Sequence, residues 1–171
     1  WQIEHQDRIN RGYVFSSDFI SDDLAQEEFR SKNPKLTNTN MVRFRSGRFA
    51  RAWVKNVVAI GNSAGFVEPL EATAIAAICS AAKLLAETLA QVNSCEVSES
   101  NRAIFNNHND RSWDTIADFL AVHYRFNDRI DNEFWRTCLN EVDLRGAQTI
   151  VDYYQENGPC NQWELLLTDR I

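Results

Sequence analysis

GNSAGFVEPLEATAIAAI, residues 61–78, sets two glycines, a proline and two carboxylates between an apolar run and an Ala-rich one. The run before it, AWVKNVVAIG (52–61), ends in the continuously apolar VVAI, which suits a strand buried on both faces, as in the parallel sheet of an α/β layer, stopping at Gly61. After it, Ile75, Ile78, Ala82, Leu85 and Leu89 recur at three and four, one stripe of a helix from Glu71 to Ala90. Off-stripe positions are also small or apolar (Ala76, Ala77, Cys79, Ala81, Leu84), so this helix is expected to be buried on most sides. The order strand, small-residue turn, helix matters because ligands in such folds lie at the carboxyl ends of strands, where small residues let backbone amides come close. The first turn of the helix leaves several N–H groups without an intrahelical partner and can hold an anion. Spacing alone leaves a plainer alternative open: a tight turn, with Glu71 serving only as an acidic residue in a first helical turn.

Working outward, residues 1–20 carry β-favouring Trp, Ile, Tyr, Val and Phe around a polar break, so two strands are expected with their turn at Asn10–Gly12. Ser21 followed by Asp22 and Asp23 starts a helix that runs to about Lys32 and stops before Pro34. MVRFR (41–45) reads as a further strand. Downstream the chain is helical: residues 98–126 align Phe105, Trp113, Ile116, Leu120 and Tyr124 on one side, Asp131 caps NEFWRTCL, and QTIVDYYQENGP ends at Gly158 and Pro159. The fold class expected is α+β, dominated by helices.

With 171 residues, 44% of them hydrophobic, the chain can build one sizeable core, and residues 1–171 are read as one partial domain. It does not begin with Met and it stops just after the apolar WELLL (163–167), so a piece of a longer protein is expected. A net charge of −6 argues against a nucleic-acid surface, and the basic cluster RFRSGRFAR (43–51) reads as a solvated face. Cys79, Cys95, Cys138 and Cys160 show neither CxxC nor a His at ligand spacing, so no metal site is expected, and Cys79 is read as a small buried hydrophobe. No secretory leader and no apolar run of eighteen is read, which favours a soluble, cytoplasmic setting without a membrane. His123 is expected to be a satisfied core histidine and His108 to face solvent, while Phe134 and Trp135 are expected to pack into the core. Tyr153 and Tyr154 are read as a helix edge.

The run GNSAGFVEPLEAT resembles the signature region of flavin-dependent halogenases of the tryptophan-halogenase type. WQIEHQDRINRGYVFSS resembles that family's W-x-W-x-I-P…GYV-x-S-S region, FRSGRFARAWVKNVVAIG its strand leading into the turn, and FLAVHYRFNDRIDNEFWR its downstream aromatic-rich helices. The four matches, in the family's order, span about residues 1–137. The resemblance implies the carboxyl-side portion of an FAD/NAD(P)-binding, flavin-monooxygenase-like α/β fold. Within it residues 1–51 would form substrate-side strands and helix, 52–90 the flavin and halide junction, and 91–171 a helical region.

The activity implied is that of a two-component oxidoreductase. A separate flavin reductase supplies FADH2, a flavin hydroperoxide forms with O2, and chloride or bromide becomes hypohalous acid that halogenates a small, electron-rich aromatic such as an indole or tryptophan. Glu71 matches the family's carboxylate beside the substrate, a group suited to orienting the halogenating species and taking the ring proton. Thr73 and Ala74 match the halide-holding amides; Gly61, Asn62, Ala64, Gly65 and Pro69 match the flavin-facing turn; Trp1, Ile3 and Glu68 match the substrate side. Glu68 is equally read as a helix cap or a partner for an Arg.

Departures from the pattern are visible. Only the second Trp of W-x-W-x-I-P is present, as Trp1; Glu4 stands for the Pro; and Ala74 replaces a frequent Gly. The Gly-rich dinucleotide fingerprint and the family's lysine belong to a preceding region, and none of Lys32, Lys35, Lys55 or Lys83 lies in the matching motif. The chain by itself is therefore expected to bind FAD weakly or not at all and to be inactive, with a homodimer left open. Two other readings are a related flavin-dependent monooxygenase or reductase, and a fragment acting only as a binding module.

Overall fold

Ser21 opens the first helix as expected: its Oγ accepts from Leu24 N at 3.4 Å, and α1 spans Asp22–Lys32 with two aspartates in its first turn. This computed structural model describes residues 1–92 and 96–159, without the side chain of Glu71. Cys95, Cys160 and the WELLL run therefore lie outside the described residues.

Before α1, β1 (Gln2–Glu4) and β2 (Ile9–Arg11) form an antiparallel hairpin with Ile3 opposite Asn10. Its turn lies at His5–Arg8, closed by His5 N donating to Arg8 O at 2.8 Å, and not at Asn10–Gly12. The polar INR segment pairs as a strand because the hairpin is exposed on both faces, so no apolar alternation marked it. Gly12 instead lies beneath the Trp1 indole, where a Cβ would fall 2.2 Å from the ring.

The MVRFR segment forms no strand; β3 is only Gly47–Arg48, and it pairs with β6 (Gly65–Phe66). The long apolar strand expected at 52–61 is also corrected. β4 (Trp53–Val54) and β5 (Val57–Val58) are the two arms of a tight antiparallel hairpin, turned at Lys55 with φ +55°. Val57 is 67% exposed, so VVAI is not a strand buried on both faces. Among the described residues all three sheets are two-stranded and antiparallel.

Four further helices follow: α2 (Thr73–Gln91), α3 (Glu99–Arg125), α4 (Glu133–Glu141) and α5 (Gln148–Asn157). Two compact units are distinguished, one ending at residue 109 and the other starting at residue 110, with the boundary inside α3. In the first, Ala52, Trp53, Ala64, Ala81 and Phe105 make the core, with the Trp53 and Phe105 rings edge to face at 5.3 Å. Asn106 ties the β4 hairpin to α3 by accepting from Trp53 N at 2.7 Å and donating to Trp53 O at 3.0 Å.

In the second unit, Trp113, Ile116 and Cys138 are buried, and Tyr124, Phe134 and Trp135 form an aromatic cluster. Asn132, not Asp131, caps α4 by accepting from Trp135 N at 2.9 Å; Asp131 pairs with Arg136 at 2.7 Å. Buried Asp118 accepts from Gly146 N at 3.2 Å. α5 ends at Gly158, whose φ of +77° suits a glycine stop. His123 is satisfied, its Nδ1–H donating to Phe119 O at 2.8 Å, but it is exposed and not in the core.

α2 departs most from expectation. Only Ala77 and Ala81 are fully buried on it, while Ile75 and Leu89 are 61% and 51% exposed and Cys79 is exposed. Among the described residues it is the one helix long and apolar enough to cross a membrane by length and composition. Its alanines made every face look apolar in sequence, so the pattern could not tell which side the first unit covers.

Candidate functional site

The stretch 61–78 folds as two short turns leading into α2. Gly61–Ser63 is a single 3-10 turn entered from extended Ile60; Ala64 N donates to Gly61 O at 2.8 Å, and Ser63 Oγ donates to Ile60 O at 2.9 Å. Gly61 has φ +63°, and a Cβ there would meet Ile78 Cγ1 at 2.7 Å. Glycine is thus required twice, by the backbone and by the close approach of α2. Ala64 is fully buried and its carbonyl accepts from Phe49 N at 2.9 Å, so the turn is held between β3 and α2. Asn62 and Ser63 are exposed, the Ser63 hydroxyl folded back on the Ile60 main chain.

From Gly65 and Phe66 in β6 the chain passes through buried Val67 and half-buried Glu68 to Pro69. Pro69 precedes a second 3-10 turn, Leu70–Ala72, which carries the main chain of Glu71. Ala72 then sits in the left-handed region at φ +53°, and α2 begins at Thr73. A non-glycine residue in that region costs about 1–2 kcal/mol. Among the described side chains none caps α2, whose N-cap residue is Ala72, and its first turn holds no acidic residue. The first amides of an α-helix have no intrahelical acceptor, so the start of the 19-residue α2, at Thr73 and Ala74, presents backbone N–H groups at the positive end of the helix dipole. Such an end can hold an anion.

The structure brings Gly61, Asn62, Ala64 and Gly65 into one turn against α2, and sets Pro69, the Glu71 main chain, Thr73 and Ala74 in sequence at its start. Trp1 is not among the residues gathered there. It lines a cavity of about 410 Å³ with Arg11, Tyr13, Glu28, Phe29 and Lys32, to which no junction residue contributes. Ile3 is exposed on the hairpin beside it. In that cavity Tyr13 donates its hydroxyl to Glu28 Oε2 at 3.0 Å; burial, then the Glu28 hydrogen bond and charge, push the phenol up to about 12.

Sequence reasoning missed two polar pairs that shape the ground around the junction. His108 is half-buried, not solvent-facing, with Nε2 2.8 Å from Ser80 Oγ on α2. Asn106 holds both backbone groups of Trp53. Partners 28 and 53 residues apart leave no local signal. Asn109, buried beside His108 on α3, has an amide nitrogen with no acceptor among the described residues.

The sequence model of the tryptophan halogenase family matches residues 1–167, and the chain belongs to that family. Tryptophan 7-halogenase RebH of Lentzea aerocolonigenes is 35% identical over 164 residues, covering 94% of this chain and 30% of RebH. Among solved structures, a tryptophan halogenase from Shewanella frigidimarina superposes with TM-score 0.84 at 29% identity, over 95% of this chain and 32% of its own. Tar14, a tryptophan C-6 flavin-dependent halogenase (chlorinase) from taromycin biosynthesis, gives TM-score 0.80 at 28% identity over 90% and 31%. The chain thus spans about 30% of the length of the curated relatives it matches. The helix-rich architecture with few, short strands is that of part of a halogenase fold.

Proposed function

We propose that this chain is part of an FADH2-dependent halogenase that chlorinates or brominates an electron-rich aromatic of the indole or tryptophan class, within a flavin-monooxygenase-like fold. The observation that carries the reading is the uncapped start of α2 beside the small-residue turn at 61–65, in a chain of this family. Both features fit the groups the family implies: small side chains admit a flat ring system to the turn, and an uncapped helix start accepts a halide.

When bound, reduced flavin together with O2, the flavin delivered by a separate reductase, supplies the oxidising power that turns halide into an electrophile. In this reading Gly61, Asn62, Ala64, Gly65 and Pro69 face the flavin. The amides of Thr73 and Ala74 hold the halide, while Trp1, Ile3 and Glu68 belong to the substrate side. Addition of the electrophile to a ring carbon leaves that carbon bearing both halogen and hydrogen. Glu71 takes this proton as the C–H electron pair returns to the ring and aromaticity is restored. A positioned base of this kind contributes about 10²–10⁴-fold in rate.

The test is Glu71→Gln in the whole gene product, supplied with FADH2, O2, bromide and an indole or tryptophan. Brominated product, read by mass spectrometry, should form with the parent enzyme and fall about 10²–10⁴-fold in the variant. Unchanged turnover would remove Glu71 from the chemistry.

A further inference from the structure

Trp1 and Gly12 stand opposite each other and extend the β1–β2 ladder by one pair. Trp1 N donates to Gly12 O at 3.0 Å and Gly12 N donates to Trp1 O at 3.0 Å, next to the pair of Gln2 and Arg11. The indole lies over Gly12: a Cβ there would fall 2.2 Å from Cε2 and 2.4 Å from both Cζ2 and Nε1. Unlike Gly61 and Gly158, Gly12 has no positive φ, so glycine is required for space and not for backbone shape. An aromatic ring across from a strand glycine covers the bare main chain, and its own orientation is fixed in return.

The floor beneath the ring is held on both sides. Arg11 Nε donates to Gln2 Oε1 at 2.7 Å, and the same guanidinium donates to Asn33 Oδ1 at 2.9 Å, at the end of α1. On the other side the Tyr13 hydroxyl donates to Glu28 Oε2 at 3.0 Å and the Tyr13 ring stacks on Phe29 at 6.0 Å. Residues 11 and 13 are both tied to α1, so Gly12 between them cannot slide from under the indole. Carbon atoms in ordinary contact lie about 3.5–4.0 Å apart, so a methyl group at residue 12 must lift the ring by at least about 1 Å. The ring moves before the doubly hydrogen-bonded main chain does.

We propose that Gly12 is a positioning residue for Trp1: its missing side chain sets the angle at which the indole meets the aromatic substrate, and α1 holds that setting through Arg11 and Tyr13. This rests on the reading that puts Trp1 on the substrate side. Gly12 takes one face of the indole, which leaves the other face and the edge for the substrate's ring, the two arrangements aromatic pairs favour.

Calorimetric titration of the whole gene product with tryptophan and with indole tests this. Gly12→Ala should weaken the Kd of the compound bound by about 2- to 10-fold, the worth of one aromatic pair, and leave kcat unchanged. Trp1→Ala should weaken it as much, and in the Trp1→Ala background Gly12→Ala should add nothing, because the two substitutions act through one ring. Three results overturn the proposal: Gly12→Ala that binds as the parent does, a further loss in the Trp1→Ala background, or a parent that binds neither compound. So does Gly12→Ala that fails to fold, since the main chain would then have given way in place of the ring. The expected pattern of binding without bromination would sink the halogenation and leave the positioning standing; bromination with a Kd untouched by Gly12→Ala would do the reverse.

Discussion

Gly61 joins sequence to site at the scale of one residue. Its positive φ and the 2.7 Å approach of Ile78 leave no room for a side chain, so Gly61→Ala should destabilise the first unit by about 1–3 kcal/mol through left-handed strain and overpacking. Chemical denaturation would measure it; an unchanged midpoint would mean that the turn relaxes away from α2. Tyr13 offers a titration. An unfolded tyrosine ionises near 10, whereas burial and the Glu28 hydrogen bond hold this phenol up to about 12. A folded value raised above the unfolded one stabilises below about pH 10 and is lost as pH climbs through about 12. Ultraviolet absorbance should therefore show a tyrosine ionisation near pH 12 that Tyr13→Phe removes. A fully ionised tyrosine set by pH 11 would contradict the Tyr13–Glu28 contact.

Among elements, those with a chemically specific end were legible in the sequence. Ser21 with its two aspartates marked α1, and Gly158 marked the end of α5, because a cap is read from one or two residue types in a fixed place. The strands were not. VVAI is apolar enough for a buried strand, but the chain reverses just before it at Lys55 and Asn56, where Asn56 is the one turn signal, and a short apolar run does not report its partner. Asp131 and Asn132 are both good caps, and only the structure distinguishes them. What fixes β4 on α3 is Asn106, whose amide satisfies both backbone groups of Trp53. Asn106→Ala should cost about 1–3 kcal/mol by leaving those groups without partners. A loss under about 0.5 kcal/mol, the range of an ordinary surface change, would mean that water replaces the amide.

Across the whole molecule, the family match over residues 1–167 and the 30% coverage of relatives agree with an expectation of part of a halogenase. The order of elements at the junction, small-residue turn, then proline, then helix, was legible because glycine and proline are strong signals for turns and helix starts. Its setting was not. The expected parallel strand gave way to short hairpins, and α2 turned out to be exposed along one face, since an Ala-rich helix conceals which side is covered.

The central claim is that the uncapped start of α2 holds a halide beside the turn at Gly61–Gly65. Anomalous diffraction from bromide-soaked crystals of the whole gene product measures this directly. A bromide peak within hydrogen-bonding distance of the Thr73 and Ala74 amides is the predicted result; bromide absent there, at a concentration that sustains turnover, would contradict it.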